Sequence, residues 1–237
     1  MKLSINQFGI LYGIVSALFL CTLIFELQLA HYIIKPLFMV LLMGFHVTAI
    51  DGKFSLFSKL VQFGLFFSWI GDIALMFDEK VEILFVVGLG AFLIAHLGYA
   101  YAFLKNVKDS GKAFNKLNAI GYGAPFAVFT GAFFFFIKNG LPSDLFVPVL
   151  AYTIVISVMG ITSAWRNGHV GSKTFKWILI GAILFILSDC VIAWNKFVVD
   201  FDYDAVLNMT LYLSGQFMIT VGAVYHAQEI SSAQEGS

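Results

Sequence analysis

The chain has 237 residues, 60% of them hydrophobic and 17% aromatic, with 27 phenylalanines and only 12% charged residues. Soluble domains carry about 25% charge and about 45–50% apolar residues, so a soluble monomer and a disordered chain are both excluded. Fourteen Lys+Arg balance fourteen Asp+Glu, which leaves no basic surface for nucleic acid.

A membrane helix needs about 20 mostly apolar residues to cross about 30 Å of hydrocarbon. Applied along the chain, that length predicts an all-α integral membrane protein, one polytopic domain over residues 1–237 with eight transmembrane helices. The spans run approximately Phe8–Phe25, Ile33–Ile50, Leu56–Phe77, Ile83–Leu104, Leu117–Ile137, Leu145–Trp165, Phe175–Trp194 and Val206–Ala227. Short connections carry turn formers such as Asp51-Gly52 and Asn139-Gly140-Leu141-Pro142. The first span follows Lys2 without a small-x-small cleavage pattern, so it is expected to be a retained helix.

Lysine and arginine counts orient the spans. Lys2, Lys53, Lys59, Lys105, Lys108, Lys112, Lys116, Arg166, Lys173 and Lys176 fall on one side, and Lys35, Lys80, Lys138 and Lys196 on the other. Ten against four places both termini in the cytoplasm. The acidic loop residues, among them Asp78, Glu79, Glu82 and Asp200, lean to the outer side.

Two acidic residues lie inside spans: Asp72 in span three and Asp189 in span seven. An aspartate at membrane depth costs about 2.5–3.5 kcal/mol on insertion scales. Each is either a polar staple between helices or a functional group. As a pair they suggest function, because each stands about five residues before the outer end of its span, roughly 7–8 Å deep at 1.5 Å per residue. Gly71 and Ser188 precede them, small enough for a close approach. Two carboxyls at one depth can divide acid and base roles.

The halves of the chain also rhyme. Gly71-Asp72-x-x-Leu75 parallels Ser188-Asp189-x-x-Ile192, Phe92-x-x-x-His96 parallels Tyr212-x-x-x-Gln216, and Pro36 and Pro148 open spans two and six. A four-plus-four parallel repeat would bring the aspartates face to face.

Other polar residues are candidates for orienting a substrate or tying helices together. Lys35 begins span two, either snorkelling to the interface or meeting a phosphate or carboxylate. Asn195 ends span seven, Tyr212 and Gln216 lie in the outer half of span eight, and His96 with Tyr99 falls near mid-membrane. Cys21 and Cys190 build neither a disulfide framework nor a four-ligand zinc site. The five histidines form no H-x-x-x-H or H-E-x-x-H pair, and neither a G-x-S-x-G element nor a P-loop occurs. No metal site and no cofactor is expected.

The ordered set Lys35-Pro36, Gly71-Asp72-x-x-Leu75, Phe92-x-x-x-His96-x-x-Tyr99, Gly181-Ala182-x-x-Phe185-x-x-Ser188-Asp189, Asn195 and Tyr212-x-x-x-Gln216 resembles the YhhN/TMEM86 family of eight-span membrane proteins. The resemblance implies a lysoplasmalogenase, which hydrolyses the vinyl ether bond of a lysoplasmalogen to a fatty aldehyde and a glycerophospho-alcohol. Asp72 and Asp189 match the family's two intramembrane aspartates and so would be the catalytic pair. The chemistry suits two carboxyls. One protonates the vinyl β-carbon while the other stabilises the oxocarbenium ion that results.

On sequence, Asp72 is assigned the acid role, because the Ser188 hydroxyl beside Asp189 would hold that carboxyl ionised. Lys35 would take the lipid phosphate, with Ser188, Asn195, Tyr212, Gln216, His96 and Tyr99 around the substrate. The expected partners are a lysophospholipid and the bilayer of an inner or plasma membrane, with the site toward the non-cytoplasmic side. The main alternative is a proton-coupled carrier using the same aspartates, for which Gly121, Gly123 and Pro125 would break span five. A structural subunit without chemistry is a further alternative.

Overall fold

Reciprocal capping starts the first helix: the Ser4 hydroxyl accepts from the Gln7 N–H at 3.2 Å while the Gln7 side chain accepts from the Ser4 N–H at 3.0 Å. Ser55 and Asn115 cap two later helices by side-chain acceptance alone, satisfying amides the helix leaves free. The computed structural model describes residues 3–78 and 80–235. Lys2 and Glu79, two of the charges used for orientation, lie outside the described residues.

Among the described residues eight α-helices follow one another: α1 Ile5–Ile24, α2 Gln28–Ala49, α3 Leu56–Leu75, α4 Ile83–Asp109, α5 Lys116–Ile137, α6 Phe146–Trp165, α7 Ser172–Phe197 and α8 Asp204–Glu235. A 3-10 turn, Lys138–Gly140, extends α5. Asp51 and Gly52, both with positive φ, end α2 and reverse the chain. Seven helices, α1 to α7, are long and apolar enough to cross a membrane. α8 is the longest at 32 residues, and its polar residues lower its hydropathy. Two of them, Gln216 and Thr220, are fully buried, so the polarity points into the bundle.

Two helix pairs form the frame, α3 with α4 and α7 with α8. Glycines make this closeness possible. A Cβ on Gly181 would lie 2.8 Å from the Gly215 carbonyl oxygen, and one on Gly215 would lie 2.9 Å from that of Gly181, so the α7 and α8 backbones touch. In the other pair, Gly71 leaves room for the Phe92 ring, which would stand 2.6 Å from an added Cβ. α4 also packs on α6, and α8 on α1, α2 and α3. α5 packs chiefly on α6 and touches α7 only lightly.

Three features depart from the sequence reading. α2 starts at Gln28, so Lys35 lies seven residues inside it and Pro36 is an internal residue rather than an opener. That puts Lys35 about 10 Å from the helix start. Membrane helices tolerate an internal proline because neighbours and local adjustments satisfy the freed carbonyl. Pro148, by contrast, is the third residue of α6, so the two prolines do not occupy equivalent places. Finally, α5 runs unbroken through Gly121, Gly123 and Pro125, and the broken helix that would favour a carrier is not found there.

One buried ion was not anticipated. Arg166, which the sequence reading treats as a loop cation, is fully buried where α6 ends. Its Nε donates to Asn106 Oδ1 at 3.1 Å and its guanidinium stands between the Phe57 and Phe103 rings, 5.7 and 5.5 Å from their centroids.

Candidate active site

Asp189 projects from α7 toward α4 and α6. The Tyr152 hydroxyl of α6 donates to its Oδ2 at 2.6 Å. His96 Nε2 of α4 lies 3.2 Å from the same oxygen and 2.8 Å from the Tyr152 oxygen. His96 Nε2 thus stands within hydrogen-bond distance of both oxygens, as donor or acceptor according to its tautomer. A carboxyl, a phenol and an imidazole close a triangle inside the bundle. His96 is held from its other side by Phe185, ring centroids 4.6 Å apart.

Asp72 forms the second centre. It is 3% exposed and accepts from the Tyr212 hydroxyl of α8 at 2.8 Å. A polar chain lies beside it: Tyr99 donates to Gln216 Oε1 at 2.8 Å, and Gln216 Nε2 donates to Ser68 Oγ at 2.9 Å. Two rings connect the centres. Phe92 meets Tyr212 at 5.9 Å and Phe185 at 6.1 Å, edge to face in both cases. Asp72 and Asp189 remain within electrostatic reach of one another.

The centres differ in access. Asp189, Tyr152 and Cys190 line a cavity of about 70 Å³ whose remaining walls are almost wholly apolar, among them Leu89, Phe92, Phe133 and Ile186. That is well below the about 300–1,000 Å³ of small-molecule pockets, so a ligand enters only where the walls give way. Asp72 does not line this space: it is buried against Tyr212, whose ring meets Phe92 of the cavity wall. α3 also ends at Leu75, soon after Asp72, whereas α7 continues from Asp189 to Phe197, so the two carboxyls do not sit alike in their helices.

Most of the sequence-derived candidates converge here. Asp72 with Tyr212 makes one centre, Asp189 with His96 the other, and Tyr99 with Gln216 braces the first. Lys35 is half-buried and acts electrostatically on Asp72 and on Asp78 of the α3–α4 loop. Lys196 of α7 donates to that same Asp78 at 3.1 Å.

Two candidates stand apart. Asn195 accepts from the Phe201 N–H at 3.2 Å and so ties the loop after α7. The Ser188 hydroxyl is buried with no hydrogen-bond partner among the described residues, so the expectation that it steadies Asp189 is not met: adjacent residues on a helix point in different directions. Tyr152 was missed, since a tyrosine in an apolar span carries no signal of its own. Among the described residues no group of three His, Cys, Asp or Glu side chains stands ready for a metal.

Apolar helices wrapped around two inward-facing carboxyl centres define a multi-pass membrane protein with an internal polar site. The chain belongs to the YhhN family, whose profile matches residues 30–223. It is 31% identical over 168 residues to "Lysoplasmalogenase TMEM86B" of Homo sapiens, covering 71% of this chain and 65% of the relative. Identity to the protein of the same name from Rattus norvegicus is 29% over 169 residues, with 71% and 63% covered. A "Lysoplasmalogenase" of Mycobacterium tuberculosis is 28% identical over 138 residues, with 58% and 50% covered. The chain therefore spans somewhat less than two thirds of the length of the curated relatives it matches. No solved structure matches it.

Proposed function

We propose that this protein hydrolyses the vinyl ether bond of lysoplasmalogens, releasing a fatty aldehyde and a glycerophospho-alcohol. The observation that carries the reading is the Asp189 carboxyl at the wall of an apolar cavity, held by Tyr152 at 2.6 Å. The activity named for the family relatives, lysoplasmalogenase, supports the substrate class.

A vinyl ether is unreactive until a proton is placed on its β-carbon. The donor must touch that carbon, and of the two aspartates Asp189 lines the cavity. We therefore give Asp189 the acid role, the reverse of the order drawn from sequence alone. Its proton goes to the β-carbon, and the ether oxygen and its carbon share the resulting positive charge. The ionised Asp189 then keeps the hydrogen bond from Tyr152 and the contact with His96, both of which favour its charge. It next accepts a proton from the water that attacks the oxocarbenium carbon. The hemiacetal collapses to aldehyde and alcohol, and the carboxyl is again protonated. Asp72, behind Phe92, contributes negative charge that stabilises the cation without touching it. No step calls for a metal or a cofactor.

The headgroup falls to Lys35, the phosphate ligand expected from sequence, with Lys196 reaching the same Asp78 from α7. We read α8 as an eighth span: it exceeds the about 20 residues a crossing needs and directs Gln216 and Thr220 inward. With eight spans both termini lie on the cytoplasmic side of an inner or plasma membrane, as the lysine and arginine bias favours, and the aspartates lie toward the opposite side. Two observations support a four-plus-four parallel repeat. Gly64 and Gly181 both stand eight residues before their aspartates, and the α3–α4 pairing has its counterpart in α7–α8. The test is aldehyde release by purified protein carrying Asp189→Asn or Asp72→Asn. Loss of the acid is expected to cost about 10²–10⁴-fold in kcat, with the smaller loss for Asp72→Asn. Equal activity of folded Asp189→Asn and wild type would overturn the assignment.

A further inference from the structure

Beside the end of α7, the cavity that holds Asp189 is tightly walled. At the α7 terminus, Gly140 packs so tightly on the Phe197 carbonyl that no side chain would fit between them. Phe197 in turn meets Phe85 edge to face at 6.0 Å, and both rings line the cavity. Sideways the wall is thinner. α5 touches α7 only lightly, and two apolar grooves run along the outside of that seam. One is lined by Phe133, Leu187, Cys190 and Trp194, the other by Phe129, Ile183, Ile186 and Leu187. Phe133 and Cys190 face both the first groove and the cavity, and Ile186 faces both the second groove and the cavity. The inner and outer spaces are therefore separated by single side chains. Phe133 is half-buried at this wall, its ring 6.4 Å from that of Trp194 across the seam.

We propose that the α5–α7 seam is a lateral portal through which one hydrocarbon chain of a bilayer lipid passes into the cavity, with Phe133 as its gate. The occupant follows from the surroundings. The seam faces outward beside strongly exposed apolar residues of α5 such as Val128 and Phe136, which in a bilayer meet only acyl chains. A side chain gates the opening rather than a gap between separated helices, so it passes one chain and refuses the doubled bulk of a two-chain lipid. The proposal rests on the hydrolase reading only for the identity of that chain as the alkenyl chain of a lysolipid.

The experiment uses full-length protein in phospholipid bilayers with Cys21→Ser, so that Cys190 is the one thiol. Alkylation of Cys190 by a membrane-soluble maleimide is timed with and without a 1-O-alkyl lysophospholipid, a saturated ether that carries no vinyl bond to cleave. At about ten times its dissociation constant the lysolipid is expected to slow alkylation about tenfold, while a two-chain ether phospholipid leaves the rate unchanged. Unchanged alkylation with the lysolipid, or equal protection by the two-chain lipid, would overturn the proposal. A second variant, Phe129→Cys with Leu187→Cys in a background lacking both native cysteines, is bridged across the outside of the seam by a reducible cross-linker. Uptake of radiolabelled alkyl lysolipid is expected to stop on bridging and return on reduction; uptake through the bridged seam would contradict the portal. Neither readout involves turnover. Protection of Cys190 without aldehyde release would sink the hydrolase reading and leave the portal standing, and aldehyde release without protection would do the reverse.

Discussion

An aspartate inside an apolar run announces itself, because an apolar residue would be cheaper there. Asp72 and Asp189 were legible for that reason, and so were His96, Tyr99, Tyr212 and Gln216 as polar residues near them. Tyr152 was not: tyrosine is common in membrane helices, and only the fold reveals that its hydroxyl is spent on Asp189 at 2.6 Å. Ser188 failed in the opposite sense, its position next to Asp189 in sequence having no counterpart in space. The contrast yields a test. A hydrogen bond to a charged group is worth about 1.5–3 kcal/mol, so Tyr152→Phe is expected to lower kcat by about 10- to 100-fold with the fold retained, read by steady-state kinetics and thermal unfolding in detergent. Ser188→Ala removes a buried hydroxyl without a partner and is expected to leave Tm unchanged or raise it; a drop of several degrees would mean that the hydroxyl is satisfied in the membrane.

At the scale of elements, hydropathy located the helices but not their ends. α4, α7 and α8 run on to Asp109, Phe197 and Glu235, beyond the spans read from sequence, because a helix continues past the hydrocarbon wherever its backbone bonds are satisfied. α2 was started too late, since Pro36 reads as a helix opener, and Lys35 moved inward as a consequence. What pairs the helices was only partly visible. The α7–α8 contact depends on Gly181 and Gly215 leaving their backbones bare to one another, and small residues at such a crossing become meaningful only when the partner is known. Gly215→Val is expected to push α8 off α7 and to lower thermal stability by several degrees. It should also perturb the Asp72–Tyr212 bond, since Tyr212 lies one turn before Gly215. Unchanged unfolding of Gly215→Val would show that the helices separate at no cost.

Across the whole molecule, the two carboxyls follow similar sequence motifs but have different surroundings. Asp72 is closed in by Tyr212 and Phe92, and Asp189 opens on the cavity. That asymmetry is invisible in the matching sequence motifs. Residues of α5 and α6, among them Phe133 and Tyr152, line the cavity beside Asp189. The central claim is that a carboxyl in this cavity protonates the carbon of a vinyl ether, and isotope transfer tests it most directly. Purified protein in a chelating D₂O buffer is given an ethanolamine or choline lysoplasmalogen, and the aldehyde is reduced to the alcohol as it forms to prevent exchange. One deuterium is expected at the carbon next to the former carbonyl, with a matched saturated ether left intact. Absence of aldehyde from folded protein, or aldehyde without deuterium at that carbon, would contradict the claim.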